Sequence, residues 1–293
     1  MICFASTARM RDGESVMAVF GKDLRVVVKG GGDLASGVAW RLWNSGFLVV
    51  VAEIAQPTAI RRAVAFATAV WDGETVVDGV RARRVEGAAG AEAAWTERIL
   101  PVLVDPQAGI VRQLPADVVV DAILAKRNTG TRQSDAPLVI GLGPGFTAGV
   151  DVHAVVETMR GHALGRVIWQ GEALPNTGVP GEVGGFSELR VVRSPCDGVF
   201  AGIRSIGDFV DADETLARVD GEPVRSRLKG VLRGLAHDGL RVHAGMKVGD
   251  VDPRAKREHC FTISDKALAV AGGVLEAILR AWQRESNAGW NLS

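Results

Sequence analysis

The chain has 293 residues, with 34 Lys and Arg balancing 34 Asp and Glu. That length allows two domains and a large core, and the charge balance gives no field that would draw the chain to DNA or an anionic membrane. Seven Trp, nine Phe and no Tyr, without a basic cluster among them, argue against a nucleic-acid partner.

Cys3, Cys196 and Cys260 are far apart and odd in number, which argues against a disulfide framework and a Cys-x-x-Cys metal knuckle. A cytoplasmic protein with no metal site is expected. Residues 1–17 carry Arg9, Arg11, Asp12 and Glu14 and lack an apolar core, so they are read as a disordered tail and not as a signal peptide, with Met17 a candidate start. No stretch of about 18 uncharged apolar residues occurs, so no membrane helix is expected.

The first ordered elements are the most telling. Leu24 to Lys29 reads as a buried strand, Gly30-Gly31-Gly32 as a tight turn, and Leu34, Val38, Leu42 and Trp43 as one apolar helix face stopping near Gly46. A second strand, Phe47 to Ala52, ends at Glu53. The spacing Gly30-x-Gly32-x-x-Ala35, followed about 20 residues on by an acid, matches a dinucleotide-binding fingerprint, in which glycines admit a pyrophosphate to a helix N-terminus and the acid takes the ribose hydroxyls. Asp33 departs from it, since a carboxylate there repels a pyrophosphate; it is expected to cap the helix instead.

Downstream, a helical run is expected from Thr58 to Val70, a β-like pair from Thr75 to Val85, and a helix from Ala89 to Ile99. Pro101 to Asp105, Asp117 to Asp121 and Leu138 to Gly141 read as short buried strands of a parallel sheet. A second glycine loop, Gly141, Gly143 and Gly145 around Pro144, reads either as stacked turns or as the far wall of the ligand crevice. Lys126, Arg127 and Asn128 stand where they could meet phosphate oxygens, or form a solvated basic turn. Asp151, His153, Glu157, Arg160 and His162 are the best acid–base cluster; on a helix, Glu157 and Arg160 would share a face as an ordinary surface ion pair. Cys260, just ahead of a helix N-terminus, is either an activated thiol or a buried inert one. These four, Glu157, Arg160, His162 and Cys260, are the catalytic candidates. No hydrolase elbow, His-Glu-x-x-His or P-loop lysine pattern is present.

Pro175 to Gly185 is dense in Pro and Gly and marks a boundary. Beyond it, Gly198-Val199-Phe200-x-Gly202 recurs as Gly230-Val231-Leu232-x-Gly234, an offset of 32 residues, which implies two half-units packed together. A last helix over 255–285 has the apolar stripe Leu268, Ala271, Leu275, Ile278 and Trp282, with Gly272-Gly273 implying close backbone packing. The expected fold is therefore α/β: a Rossmann-like doubly wound parallel sheet over 18–180, closed by helix 255–285, with an inserted small all-β domain over 186–253.

The β segment resembles the barrel-sandwich hybrid domains that carry biotin or lipoate, in Ser194 to Val199 and Gly207 to Val210. Its hairpin, Val219 to Val224, has no lysine to modify, and Lys229 matches the wrong end of the repeat, so no covalent biotin or lipoate is expected. From Val26 to Leu279 the chain resembles a family of accessory proteins of selenium-dependent molybdenum hydroxylases. The resemblance is carried by Lys29 to Ala35, Asp121 to Lys126, Ile140 to Phe146, Glu157 to His162, Pro175 to Gly178, Gly230 to Gly234 and Ile263 to Ala267. It implies a maturation factor whose partners are a client molybdenum hydroxylase or other maturation proteins, or a second copy of itself. The ligand would be a nucleotide or dinucleotide, such as the dinucleotide form of the molybdenum cofactor or NAD, at Gly30, Gly31, Gly32, Asp33, Glu53, Lys126, Gly141, Gly143 and Gly145. An NAD-dependent oxidoreductase and a non-catalytic scaffold are the alternatives.

Overall fold

The computed structural model describes residues 24–178 and 181–288; the expected tail at 1–17, with Met17 and Cys3, lies outside them. The chain opens with β1 (Arg25–Lys29), α1 (Asp33–Asn44) and β2 (Leu48–Glu53). Val26 and Val28 pack to one side of the sheet and Val27 to the other, which is why this strand is apolar without alternation. After β2 come α2 (Thr68–Asp72), the hairpin β3 (Glu74–Val77) and β4 (Val80–Val85), α3 (Gly87–Thr96), β5 (Leu100–Val104), α4 (Ile110–Gln113), β6 (Val118–Asp121) and β7 (Leu138–Leu142). The short pair β8 (Thr147–Ala148) and β11 (Gly171–Glu172) flanks β9 (Ala154–Val156) and β10 (Val167–Ile168).

Nine of these strands form one sheet in the order β10-β9-β7-β6-β1-β2-β5-β4-β3. The inner seven run parallel, while β3 and β10 close the two edges antiparallel. One face is covered by α1 and by α5 (Asp265–Ala288), the other by α3 and α4. Two glycines let α5 come close: a Cβ on Gly37 of α1 would lie 2.7 Å from that of Ala267, and one on Gly273 would collide with the carbonyl oxygen of Gly165.

Residues 191–252 form two four-stranded antiparallel sheets. With β12 (Val191–Arg193), β13 (Gly198–Gly202), β14 (Phe209–Val210), β15 (Thr215–Val219), β16 (Glu222–Arg225), β17 (Gly230–Leu235), β18 (Arg241–Val242) and β19 (Lys247–Asp252), the orders are β12-β19-β17-β14 and β16-β15-β13-β18. The 32-residue repeat places β13 and β17 in different sheets, and Phe200, Leu216, Leu232 and Val251 fill the space between them.

The main sheet is mixed, not a Rossmann-like doubly wound parallel sheet, because β3 and β10 pair antiparallel at its two edges. The helix expected over Thr58 to Val70 is instead an extended segment, one 3-10 turn at Arg62–Val64 and the five-residue α2. Tertiary pairing overrides propensity there: Leu235 N–H donates to Ile60 O at 2.7 Å and Arg62 Nε to Leu235 O at 2.8 Å. Nor is there an inserted barrel-sandwich domain. The second half is two sheets stitched through β17 to the α/β half, and Gly234 lets Ile60 approach to within 3.1 Å of where its Cβ would lie. Among the described residues, no helix is long and apolar enough to cross a membrane.

Candidate functional site

The carboxyl ends of β1, β2, β5 and β6 surround a crevice of about 210 Å³. Its floor is the Gly30–Gly32 turn, and each glycine there has a different reason. Gly30 has φ +92°, and a Cβ on it would sit 3.1 Å from the carbonyl oxygen of Ala122; a Cβ on Gly31 would be 2.8 Å from the amide nitrogen of Ala67. Gly32 has φ −66° and ψ −179°, an ordinary extended conformation, and a Cβ on it would meet no atom within 4 Å. Its missing side chain is therefore not required by the protein's own packing. It opens onto the crevice, at the first turn of α1, where helical N–H groups lack intrahelical acceptors.

Gly32 is the N-cap and carries no capping side chain, so the expected capping role of Asp33 is corrected. Asp33 occupies the first helical position, where its Oδ1 accepts from the Leu34 N–H at 3.0 Å and its Oδ2 lies 3.4 Å from Arg61 Nη1. Arg61 also donates to the carbonyls of His259 and Thr262. It thus offsets the Asp33 charge that would otherwise oppose an anion, and ties α1 to the segment before α5. Burial pushes the Arg61 guanidinium below its ordinary pKa, with Asp33 opposing that shift.

Glu53 stands at the end of β2 as expected, yet its carboxylate is already engaged: Oε2 accepts from Gly31 N–H and Oε1 from Ile54 N–H, both at 2.7 Å. Burial pushes its pKa up, and the two backbone bonds oppose this. Its structural role is to hold the glycine turn.

Behind the turn lies a buried ionic cluster. Lys29 Nζ donates to the Thr131 hydroxyl, which donates to Asp121, and Lys29 lies 3.4 Å from that carboxylate. This fixes the loop after β6, where Leu124 (φ 59°) and Lys126 (φ 62°) hold left-handed conformations, a strain that persists only when surroundings enforce it. Lys126 projects into a larger cleft, described below. Asn128 instead accepts from the N–H groups of Gly130 and Thr131, so it shapes the loop.

The second glycine loop is explained by packing. A Cβ on Gly141 would strike the Phe146 ring at 2.6 Å, one on Gly143 the Thr158 hydroxyl, and one on Gly145 the Arg127 backbone at 2.6 Å. Only Leu142 and Pro144 of this loop face the cleft. The acid–base cluster does not assemble either, because residues 151–162 form β9 and turns in place of a helix. Glu157 is buried and accepts from Met159 and Leu174 N–H at 2.7 Å each. Arg160 pairs with Asp265 at 2.9 Å and holds its carboxyl down to about 2. His153 Nδ1 accepts from Val139 N–H, and burial lowers its pKa. His162 is exposed in a turn. Cys260 is buried, and burial pushes its thiol pKa up, the opposite of activation.

Beside the crevice lies a cleft of about 960 Å³ between the two halves. The two cavities share Gly32, Asp33, Leu34, Thr58, Ala59 and Leu124. Its far wall carries residues that were not among the expected site residues: Arg190, Arg233, Lys247 and Asp250, with Lys266 on α5. Asp250 is buried and accepts from Arg190 and from Arg233 at 2.7 and 2.9 Å. A partial signal was present, since Arg233 occupies in the second repeat the outward place that the exposed Ala201 holds in the first, yet it is buried here against the other half of the chain.

Fold and site together define an α/β protein with a glycine turn at the strand ends and a cationic cleft beside it. No family model matches the chain. It is 48% identical over 254 residues to the uncharacterized protein YqeB of Escherichia coli (strain K12), a match that takes in 87% of this chain and 47% of that protein. The chain thus spans about half the length of that curated relative. Among solved structures, an aspartoacylase family protein from Mesorhizobium loti aligns at 14% identity and a TM-score of 0.25, over 80% of this chain and 87% of that one. A succinylglutamate desuccinylase from Silicibacter sp. TM1040 aligns at 14% and 0.23, over 78% and 84%. Scores this low do not define a shared fold.

Proposed function

We propose that the chain binds a nucleotide-type ligand, with a phosphate seated at the N-terminus of α1, and that it serves as an accessory or maturation factor for a selenium-dependent molybdenum hydroxylase. The observation that carries the ligand reading is Gly32. Its neighbours in the turn are glycine because backbone atoms crowd them, whereas Gly32 faces open crevice, as a position does when an external group must approach the backbone closely. The accessory role rests on the family resemblance of the motifs, with the dinucleotide form of the molybdenum cofactor as cargo to be handled. Glu53, with both carboxylate oxygens bonded to backbone N–H groups, gives the oxidoreductase alternative no added support.

The test is calorimetric titration of the full chain with the cytidine-dinucleotide form of the molybdenum cofactor, NAD, FAD and CTP. Saturable binding of at least one of them, abolished by Gly32→Val without loss of the folding transition, is the expected result. Flat thermograms for all four would remove the reading.

A further inference from the structure

The 210 Å³ crevice is smaller than the roughly 300–1,000 Å³ typical of small-molecule sites, whereas the adjoining cleft, at about 960 Å³, reaches the top of that range. Most of any ligand held at Gly32 would therefore lie in the cleft. Seven Arg and Lys line that cleft against four Asp and Glu, although the whole chain is neutral.

The pairing of these charges is uneven. The arginines are engaged: Arg61 with Asp33, Arg160 with Asp265, and Arg190 and Arg233 with Asp250. Glu157 has spent both oxygens on backbone N–H groups. Lys247 stands 3.7 Å from Asp250, a carboxylate that already serves two arginines. Among the described residues, Lys126 and Lys266 have no carboxylate within 4.0 Å. Three lysines, of which only Lys247 has a carboxylate within 4.0 Å and shares it with two arginines, thus line the cleft from the loop after β6, from β19 and from the first turn of α5, which belong to both halves of the chain. Asp33 and the exposed Glu182 are the carboxylates that oppose an anion there.

We infer that this cleft takes a small molecule bearing two or more clustered phosphate-type charges, held by Lys126, Lys247 and Lys266, and that this ligand bridges the two halves of the chain. The inference deepens the reading of Gly32 and rests on it for the ligand's other end. Burial already holds Lys247 and Lys266 below the ordinary lysine pKa, a cost that a nearby anion offsets. A concave site on a neutral chain suits a compact polyanion better than an extended nucleic acid, which needs a basic stripe.

The experiment is titration of the full chain with inorganic pyrophosphate and tripolyphosphate, with orthophosphate and sulfate at matched ionic strength as controls. The condensed phosphates should bind at least about tenfold more tightly than orthophosphate or sulfate, and Lys247→Met and Lys266→Met should each weaken them by about tenfold or more, the loss expected of one charge-assisted contact. Lys247→Arg and Lys266→Arg should bind within about threefold of the parent, because a charged phosphate donor is kept. Thermal melts verify that each variant folds. Pyrophosphate binding that is unchanged in both Met variants, or no tighter than that of sulfate, overturns the inference. If nucleotide binding depends on Gly32 but not on the lysines, the cleft inference fails while the crevice reading stands. Pyrophosphate binding that needs the lysines, in a chain whose nucleotide titrations are flat, sustains the cleft and removes the crevice reading.

Discussion

Alanine should destabilise the fold at Gly31 and leave it nearly unchanged at Gly32, although the residues are adjacent. At Gly31 the added Cβ would lie 2.8 Å from the amide nitrogen of Ala67 and 3.2 Å from its Cβ. The turn is also pinned, since Ala67 N–H donates to Gly31 O at 2.9 Å and Gly31 N–H to Glu53 at 2.7 Å. Relief requires backbone movement, and overpacking of this kind costs about 1–3 kcal/mol. At Gly32 the Cβ meets nothing and the backbone angles suit any residue. Reduced unfolded-state freedom there gains about 0.4–1 kcal/mol, while alanine is a poorer N-cap than glycine by a similar amount, so the net change should stay within about 0.5 kcal/mol. Urea denaturation of both variants reads these stabilities. A Gly32→Ala variant destabilised by more than about 1 kcal/mol, or a neutral Gly31→Ala, would refute the assignment of Gly32 to a ligand in place of the fold.

Three further outcomes follow. Asp250→Ala leaves Arg190 and Arg233 buried without their shared counter-ion and should cost about 3–5 kcal/mol by urea denaturation; a loss below about 1 kcal/mol would show that the cluster is not a closed ion network. Asp265 has a carboxyl held to about 2, against an ordinary 3.8, by its bond to Arg160. A depressed folded pKa means that its contribution is complete above the ordinary value and is lost as pH falls through about 2. Arg160→Gln should therefore move the carboxyl titration, followed by NMR, up toward 3.8, and an unmoved titration would contradict the pairing. Cys260 should resist a thiol reagent in the folded chain and label only on unfolding, since it is buried with a raised pKa; labelling of the native protein at the rate of an exposed thiol would reverse that account.

Much of the first half was legible in residues 24–53. Periodicity and the glycine turn located β1, α1 and β2, because local backbone demands and burial agree there. The β3–β4 hairpin at one edge was legible as a β-like pair over Thr75 to Val85, whereas the edge formed by β10 against β9 was not. The segment Thr58–Arg61 has helix-compatible residues, yet its backbone pairs with Leu235 of β17, a contact that no local pattern announces. Spacing also could not distinguish the two glycine loops. Gly30–Gly32 includes one residue free of steric need, while Gly141, Gly143 and Gly145 all relieve contacts with Phe146, Thr158 and Arg127. Glu157 looked like a catalytic acid because its chemistry is visible in sequence, but the two N–H groups that occupy it, those of Met159 and Leu174, are not. The cationic cleft was missed for a related reason: its lysines come from elements that meet only in the folded chain.

The most direct test is a paired titration of the parent and Gly32→Val with the cytidine-dinucleotide form of the molybdenum cofactor, accompanied by their denaturation curves. The parent should bind saturably and the variant not at all, with stabilities equal within about 0.5 kcal/mol. Equal binding by the two chains would contradict the assignment of Gly32 to a ligand.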